Sequence, residues 1–111
     1  MILQSDTQNM DDMLVFFEKE RKRVISNGRR ARKARVRCNL KPGEWFVRLI
    51  QFGFKCAYCQ QPFETLDHIV SISCGGGTTF SNVVPCCRDC NLRKGTAVWL
   101  PACASSVFVT S

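Results

Sequence analysis

The sequence predicts a small α+β domain in which two short strands and a helix are preceded by N-terminal helices. Three observations lead to this prediction: the chain has 111 residues, it contains two C-x-x-C pairs, and the segment between the pairs reads as strand, glycine loop and strand before a short helix. A chain of this length has room for one domain. Such a domain buries roughly 65% of its unfolded surface, so a bound metal would strengthen a modest core.

The chain divides into three predicted parts. Residues 1–40 are expected to form an N-terminal helix and a basic arm, residues 41–100 the main domain, and residues 101–111 a C-terminal tail, where a short strand is predicted at Val107 to Val109. The candidate metal-binding and catalytic residues are expected in the middle part, residues 41–100.

The first helix is predicted from Asn9, which can act as an N-cap, to the stop signal at Asn27 and Gly28; residues 1–8 read as a loose tail. Four apolar residues share one face of it: Met10, Met13, Leu14 and Phe17. This face is expected to pack on the domain, and the alternative is a contact between two copies of the chain.

A second helix is predicted from Pro42 to Gly53, because proline is favoured in the first turn of a helix and glycine after the last. Its buried side is expected to carry Trp45, Phe46, Leu49 and Ile50.

Positive charge is concentrated in one block. The chain has 16 Lys and Arg against 9 Asp and Glu, and ten of the 16 fall between Glu18 and Arg37, where there are only two acids. Clustered cations indicate a polyanion partner, although a solvated linker is the alternative. The candidate phosphate contacts are Arg29, Arg30, Arg32, Lys33, Arg35 and Arg37.

No apolar run approaches the ~20 residues that a membrane span needs, so no membrane partner is expected. The first ten residues lack a basic region followed by an apolar one, so a cytoplasmic location is expected. There thiols stay reduced, and the eight cysteines favour metal binding over the disulfides of a secreted chain.

The two C-x-x-C pairs predict a structural zinc site. Cys56 with Cys59 and Cys87 with Cys90 supply four thiolates, and 27 residues separate the pairs. Four thiolates close a tetrahedral shell and leave no open position, so this Zn²⁺ is expected to be structural. Cys86 is a competitor for Cys87, but only Cys87 has the C-x-x-C spacing to Cys90.

The single histidine of the chain, His68, lies beside Asp67 in the predicted strand from Leu66 to Val70. A lone histidine is more often structural than catalytic, and strand alternation points neighbouring side chains to opposite faces unless the strand bends. Gly75 to Gly77 predict a sharp turn or a close backbone approach, Asn82 to Val84 a second strand, and Cys87 to Gly95 a helix.

Taken in order, these segments resemble the HNH nucleases. The matching segments are C-A-Y-C at 56–59, L-D-H-I at 66–69, G-G at 75–76, N-V-V at 82–84, C-R-D-C-N at 87–91 and K-G at 94–95. The resemblance is to the variants with asparagine as the third motif residue, which makes the trio His68, Asn82 and Asn91, and to small stand-alone forms found in phages and mobile elements. It implies a ββα-metal (HNH) core held by a four-cysteine zinc site.

The resemblance also implies residue roles. Asp67 and Asn91 would bind one catalytic divalent ion, expected to be Mg²⁺; His68 would be the general base; and Asn82 would hydrogen-bond backbone near His68. Lys94 joins the candidate nucleic-acid contacts. Because neutral imidazole is the base, cleavage is expected to fall as the pH drops through roughly 6 to 7. Ser71 and Cys74 depart from the family pattern without touching a proposed ligand.

The implied function is a metal-dependent endonuclease that nicks or cuts duplex DNA, with no small-molecule substrate. One chain would have one active site, so a double-strand cut would need a homodimer or two visits. For a phage-encoded form the expected location is the host cell cytoplasm. The alternative is a non-catalytic zinc-binding module that binds nucleic acid.

Overall fold

The structure is a computed structural model that describes residues 2–101, with side chains described from residue 9. The elements are α1 (Ile2–Lys33), α2 (Pro42–Gln51), β1 (Thr65–His68), β2 (Val83–Cys86) and α3 (Arg88–Lys94), with single 3₁₀ turns at Ile72–Cys74 and Phe80–Asn82. The two strands form an antiparallel pair, and α3 follows β2 directly. The α+β class and the ββα arrangement predicted from the sequence are therefore confirmed.

The strand pair differs from the prediction at its ends. Asp67 pairs with Val84 and His68 with Val83, and β1 stops at His68 rather than at Val70. The reason is that the main chain of Val70 is bonded to a side chain, that of Asn82, and not to a neighbouring strand. Strand β2 begins after Asn82 and runs on to Cys86.

The hydrophobic core lies between α1, α2 and the strand pair. Its buried residues are Val24, Trp45, Leu49, Leu66 and Val83. Trp45 also donates its indole N–H to the buried carboxylate of Glu20 at 3.0 Å, and Arg23 pairs with the same carboxylate at 2.8 Å. The prediction for Ile50 is wrong, because this side chain is 66% exposed.

Helix α1 is longer at both ends than predicted. It begins at Ile2, so the predicted loose tail before Asn9 is wrong, and it continues past Asn27 and Gly28 to Lys33. The Asn27 side chain donates to the Arg23 carbonyl at 2.8 Å, within the helix. A Cβ at Gly28 would lie 3.1 Å from Cys38 Sγ, so this glycine serves close packing and does not end the helix.

The apolar face of α1 is only partly covered by the described residues. Met10, Met13 and Leu14 are more than half exposed. Phe16 and Phe17, by contrast, make edge-to-face contacts with Phe46, Phe54 and Phe63. The prediction that the whole face packs on the domain is therefore wrong for Met10, Met13 and Leu14. No helix within residues 2–101 is both long and apolar enough to cross a membrane.

Helix α3 agrees with its predicted limits. Cys87 is its N-cap, where the thiol accepts a hydrogen bond from the Cys90 N–H, and Gly95 follows the last residue with a φ of 55°. The predicted strand at Val107 to Val109 lies outside the described residues.

Candidate active site and metal centre

Four cysteine sulfurs converge beside the strand pair. One ligand atom each from Cys56, Cys59, Cys87 and Cys90 lies within 4.8 Å of the others, and Sγ of Cys59 is 3.6 Å from Sγ of Cys87. The first pair lies in the turn between α2 and β1, and the second lies at the start of α3. Cys86 is outside the cluster and donates its thiol to the Cys87 carbonyl. The structure therefore brings together the four cysteines that the spacing selected.

The donor set fits a soft divalent ion such as zinc. Two backbone N–H groups support the sulfurs: the Tyr58 N–H donates to Cys56 Sγ and the Cys90 N–H to Cys87 Sγ, both at 3.4 Å. Burial raises the pKa of the Cys56 thiol, but hydrogen bonds from nearby backbone N–H groups outweigh it and bring the pKa to about 7. Burial raises the pKa of Cys87 and Cys90. Ionising all four thiols together is costly without a cation, which a metal ion would supply.

A cavity of about 630 Å³ is lined by His68 and Asn91, two residues of the predicted trio. Asp67, His68 and Asn91 all line it, so Asp67 and His68 share one cavity although they are neighbours in a strand. All four residues of β1, Thr65 to His68, line this cavity. Helix α1 also lines the cavity, through Ser26, Asn27 and Arg30, and Ala34 lines it just after the helix ends.

Asp67 is held by three donors. The Tyr58 hydroxyl donates to Oδ2 at 2.8 Å, the Lys94 ammonium lies 3.2 Å from the same oxygen, and the Asn91 side-chain amide donates to Oδ1 at 3.2 Å. Burial and the charge of Asp67 raise the pKa of Tyr58, so its hydroxyl remains a donor. Asp67 and Asn91 are thus adjacent, as two ligands of one ion would have to be.

His68 is buried, with only 6% of its surface exposed. Its Nε2 lies 2.9 Å from the hydroxyl of Thr78. Burial, and then the positive charges of Arg30 and Lys94, lower the pKa of His68 to about 4. The imidazole is therefore neutral at pH 7. It becomes protonated only below the range of pH 6 to 7 that was expected from the sequence.

Asn82 bonds to the segment that follows His68. Its Oδ1 accepts from the Val70 N–H, and its Nδ2 donates to the carbonyls of Val70 and Gly77, all within 2.9 Å. The Asn82 carbonyl also accepts from the Ile69 N–H at 2.8 Å. The side chain is therefore placed to orient the end of β1 and the glycine loop.

Lys94 is not on the surface where a DNA contact was predicted. It is 3% exposed, and its ammonium donates to the His68 carbonyl at 2.9 Å besides pairing with Asp67. An ammonium enclosed in this way joins α3 to β1 and does not reach a phosphate. The prediction for Lys94 is corrected accordingly.

The other six predicted nucleic-acid contacts are exposed. Arg29, Arg30, Arg32 and Lys33 lie on the last turns of α1, while Arg35 and Arg37 lie on the segment that follows. The basic block is thus mostly helix and not a free arm. Arg30 alone among the six lines the cavity, and its guanidinium donates to the Asn27 side chain at 3.2 Å.

Sequence reasoning missed two residues of this site. Tyr58 bonds directly to Asp67, and its position inside C-A-Y-C, between two predicted metal ligands, was a usable signal. Thr78 bonds to His68, and no pattern in the sequence distinguishes it from the neighbouring Thr79.

Two short antiparallel strands, a following helix and a four-sulfur cluster at their edge define a ββα core of the metal-binding type. The model of the HNH endonuclease family matches residues 56–102, which contain this core. This segment is therefore similar to the HNH endonucleases, and the match supports a nuclease-type function in general. Helices α1 and α2 lie outside the match. A search of curated proteins found no match to the chain.

Proposed function

We propose that this protein is a metal-dependent endonuclease that hydrolyses phosphodiester bonds in DNA. The observation that carries the proposal is the convergence of Asp67, His68 and Asn91 on one cavity that Arg30 also lines. A buried base, an acidic ligand and an exposed cation around one space are the groups that phosphodiester hydrolysis requires. The basic end of α1 lies beside this space and supplies binding energy for the DNA backbone.

Each side chain has a role in the proposed reaction. Neutral His68 takes a proton from the attacking water, and Arg30 holds a non-bridging oxygen of the scissile phosphate. Asp67 and Asn91 offer oxygen ligands for a Mg²⁺ ion, which when bound would stabilise the negative charge of the leaving oxygen. Asn82 keeps the end of β1 in place, and Tyr58 and Lys94 orient the Asp67 carboxylate.

The four-cysteine cluster is proposed to hold one structural Zn²⁺. It joins the turn before β1 to the start of α3, so it fixes the two elements that carry Asp67 and Asn91. The active site depends on that arrangement, because Asp67 and Asn91 are 24 residues apart and must meet across the gap between strand and helix.

The part of the chain that the structure describes has one such cavity, so we expect the protein to nick one strand of a duplex. A double-strand cut would require two copies, and the exposed apolar residues Met10, Met13 and Leu14 of α1 offer the surface for a homodimer. We propose action on DNA in the cytoplasm, in a host cell if the protein is phage-encoded.

The decisive test is nicking of supercoiled plasmid with Mg²⁺ or Mn²⁺. Wild-type protein should convert the plasmid to the open circular form, and His68→Ala and Asn91→Ala should each lower the rate at least about 100-fold. Leu92→Ala is the matched control for Asn91→Ala, since Leu92 is the next residue on α3, 75% exposed and outside the cavity; it should cut as wild type does.

The enzymatic proposal would be overturned if zinc-loaded wild-type protein bound DNA but cleaved none of it with either Mg²⁺ or Mn²⁺. The non-catalytic binding module would then be the better description.

A further inference from the structure

The hydroxyl of Thr78 connects His68 to helix α1. Oγ1 of Thr78 lies 2.9 Å from Nε2 of His68 and donates a hydrogen bond to the main-chain carbonyl of Asn27 at 3.2 Å. Thr78 is completely buried, and Asn27 is 9% exposed. The contact spans 51 residues of sequence and joins the HNH segment to a helix that lies outside it.

The direction of these two bonds decides which imidazole nitrogen carries the proton. A carbonyl oxygen can only accept, so the single hydroxyl hydrogen of Thr78 points to Asn27. The hydroxyl then has only lone pairs to offer His68, and Nε2 must carry the N–H. If the hydroxyl hydrogen pointed to His68 instead, Oγ1 and the Asn27 carbonyl would face each other at 3.2 Å through lone pairs.

The other ring nitrogen gives the same answer. Among residues 9–101, no group forms a hydrogen bond with Nδ1 of His68, so a proton there would have no protein acceptor. An unprotonated Nδ1 with access to the cavity is the form that a general base requires.

The backbone around Thr78 is held firmly enough to keep this geometry. The Thr78 N–H donates to the Arg37 carbonyl at 2.8 Å, and the Thr78 carbonyl accepts from the N–H groups of Asn39 and Leu40. A Cβ at Gly77 would lie 2.5 Å from the Arg37 carbonyl oxygen, so the neighbouring residue must be glycine for the two segments to approach.

We propose that Thr78, acting with the Asn27 carbonyl, is a positioning residue that holds His68 in its Nε2–H tautomer and leaves Nδ1 as the basic atom facing the cavity. Helix α1 thereby orients the general base, although α1 lies outside the segment that matches the HNH family. The catalytic consequence rests on the proposed endonuclease function, whereas the tautomer itself does not.

The first test is nitrogen-15 NMR of the zinc-loaded wild-type protein at pH 7.5 and without Mg²⁺. His68 is the only histidine of the chain, so histidine-selective labelling gives one ring and needs no assignment. We expect a pyrrole-like Nε2 and a pyridine-like Nδ1. A ring protonated on Nδ1, or an averaged mixture of both tautomers, would overturn the proposal.

The second test compares three variants under single-turnover conditions at saturating DNA and Mg²⁺. Thr78→Val keeps the shape of the side chain and removes both hydrogen bonds, and it should lower the cleavage rate by about 10-fold to 100-fold with DNA affinity within about twofold of wild type. Thr78→Ser keeps the hydroxyl and should cleave within about threefold of wild type. Thr79→Val, the adjacent control outside the cavity, should have no effect.

The outcomes separate this inference from the proposed function. A Thr78→Val protein that cleaves at the wild-type rate overturns the positioning role. If Thr78→Val does not fold, the wild-type NMR spectrum still tests the tautomer, and Thr78→Ser still tests whether a hydroxyl at this position supports cleavage. If wild-type protein cleaves nothing, the proposed function fails while the spectrum continues to decide the tautomer.

Discussion

Nζ of Lys94 lies 3.2 Å from Oδ2 of Asp67, and both side chains are less than a tenth exposed. The same ammonium donates to the main-chain carbonyl of His68. One buried cation thus joins the end of β1 to α3 at the residues proposed to bind metal and to act as base. Removing one partner of a buried ion pair leaves the other charge without compensation, which is strongly destabilising.

Lys94→Met should therefore lower the free energy of unfolding by about 3 kcal/mol and leave metal-free DNA binding almost unchanged. Urea unfolding and fluorescence anisotropy with labelled duplex would measure the two effects. The opposite pattern, with stability intact and DNA affinity reduced, would restore the phosphate contact that the sequence predicted for Lys94.

The two adjacent cysteines of β2 and α3 allow a matched test of the zinc site. Cys87→Ser should abolish stoichiometric zinc and leave the protein unfolded or insoluble, because structural zinc contributes on the order of 10 kcal/mol in small domains. Cys86→Ser should keep one zinc per chain, since Cys86 lies outside the cluster and serine can also donate to the Cys87 carbonyl. Metal analysis of the purified proteins decides; wild type without zinc would contradict the assignment.

Arg30 and Arg29 are neighbours with different positions relative to the cavity. Arg30→Gln should lower the single-turnover rate at saturating DNA by at least about tenfold, because it removes the positive charge that stabilises the negative charge developing on the phosphate. Arg29→Gln should weaken binding and lower the slope of log affinity against log salt by about 0.9, while the saturated rate is kept. If both variants changed the rate at saturating DNA equally, Arg30 would have no catalytic role beyond that of Arg29.

The pH dependence of cleavage should reflect the low pKa of His68, about 4. A depressed pKa keeps the imidazole neutral, and hence basic, from alkaline pH down to well below 6. The single-turnover rate should therefore change by less than about twofold between pH 8 and 5.5, with zinc content checked at each pH. A titration centred between pH 6 and 7 would mean that His68 is much better solvated in the DNA complex than in the free protein.

Gly76 allows the Asn82 side chain to reach Val70, two residues after β1. A Cβ there would lie 1.8 Å from the Val70 carbonyl oxygen and 2.8 Å from Asn82 Nδ2. Gly76→Ala should displace this loop, lower the melting temperature and reduce cleavage, whereas Gly43→Ala, where a Cβ meets nothing within 4 Å, should cost far less. Differential scanning calorimetry and the nicking assay measure both; equal melting temperatures for the two variants would contradict the close contact.

Local patterns in the sequence were sufficient for the ββα core. The spacing of the C-x-x-C pairs selected Cys87 over Cys86, and the glycine run marked the close approach at Gly76. The predicted helix from Cys87 to Gly95 encloses the observed α3, because Gly95 is a local signal for a helix end. These features depend on a few adjacent residues, so the sequence carries them directly.

The contacts of the active site were decided by tertiary structure. Whether Gly28 ends a helix or packs against Cys38 depends on a residue that the fold brings close. Lys94 is a second case, because in the sequence it resembles a surface cation, whereas in the structure Asp67 and the His68 carbonyl enclose it. The contact from Asn27 through Thr78 to His68 crosses 51 residues and involves no periodicity or motif. Burial and proximity across the chain set the pKa and the hydrogen-bond direction of His68, because both depend on groups that only the folded chain assembles around it.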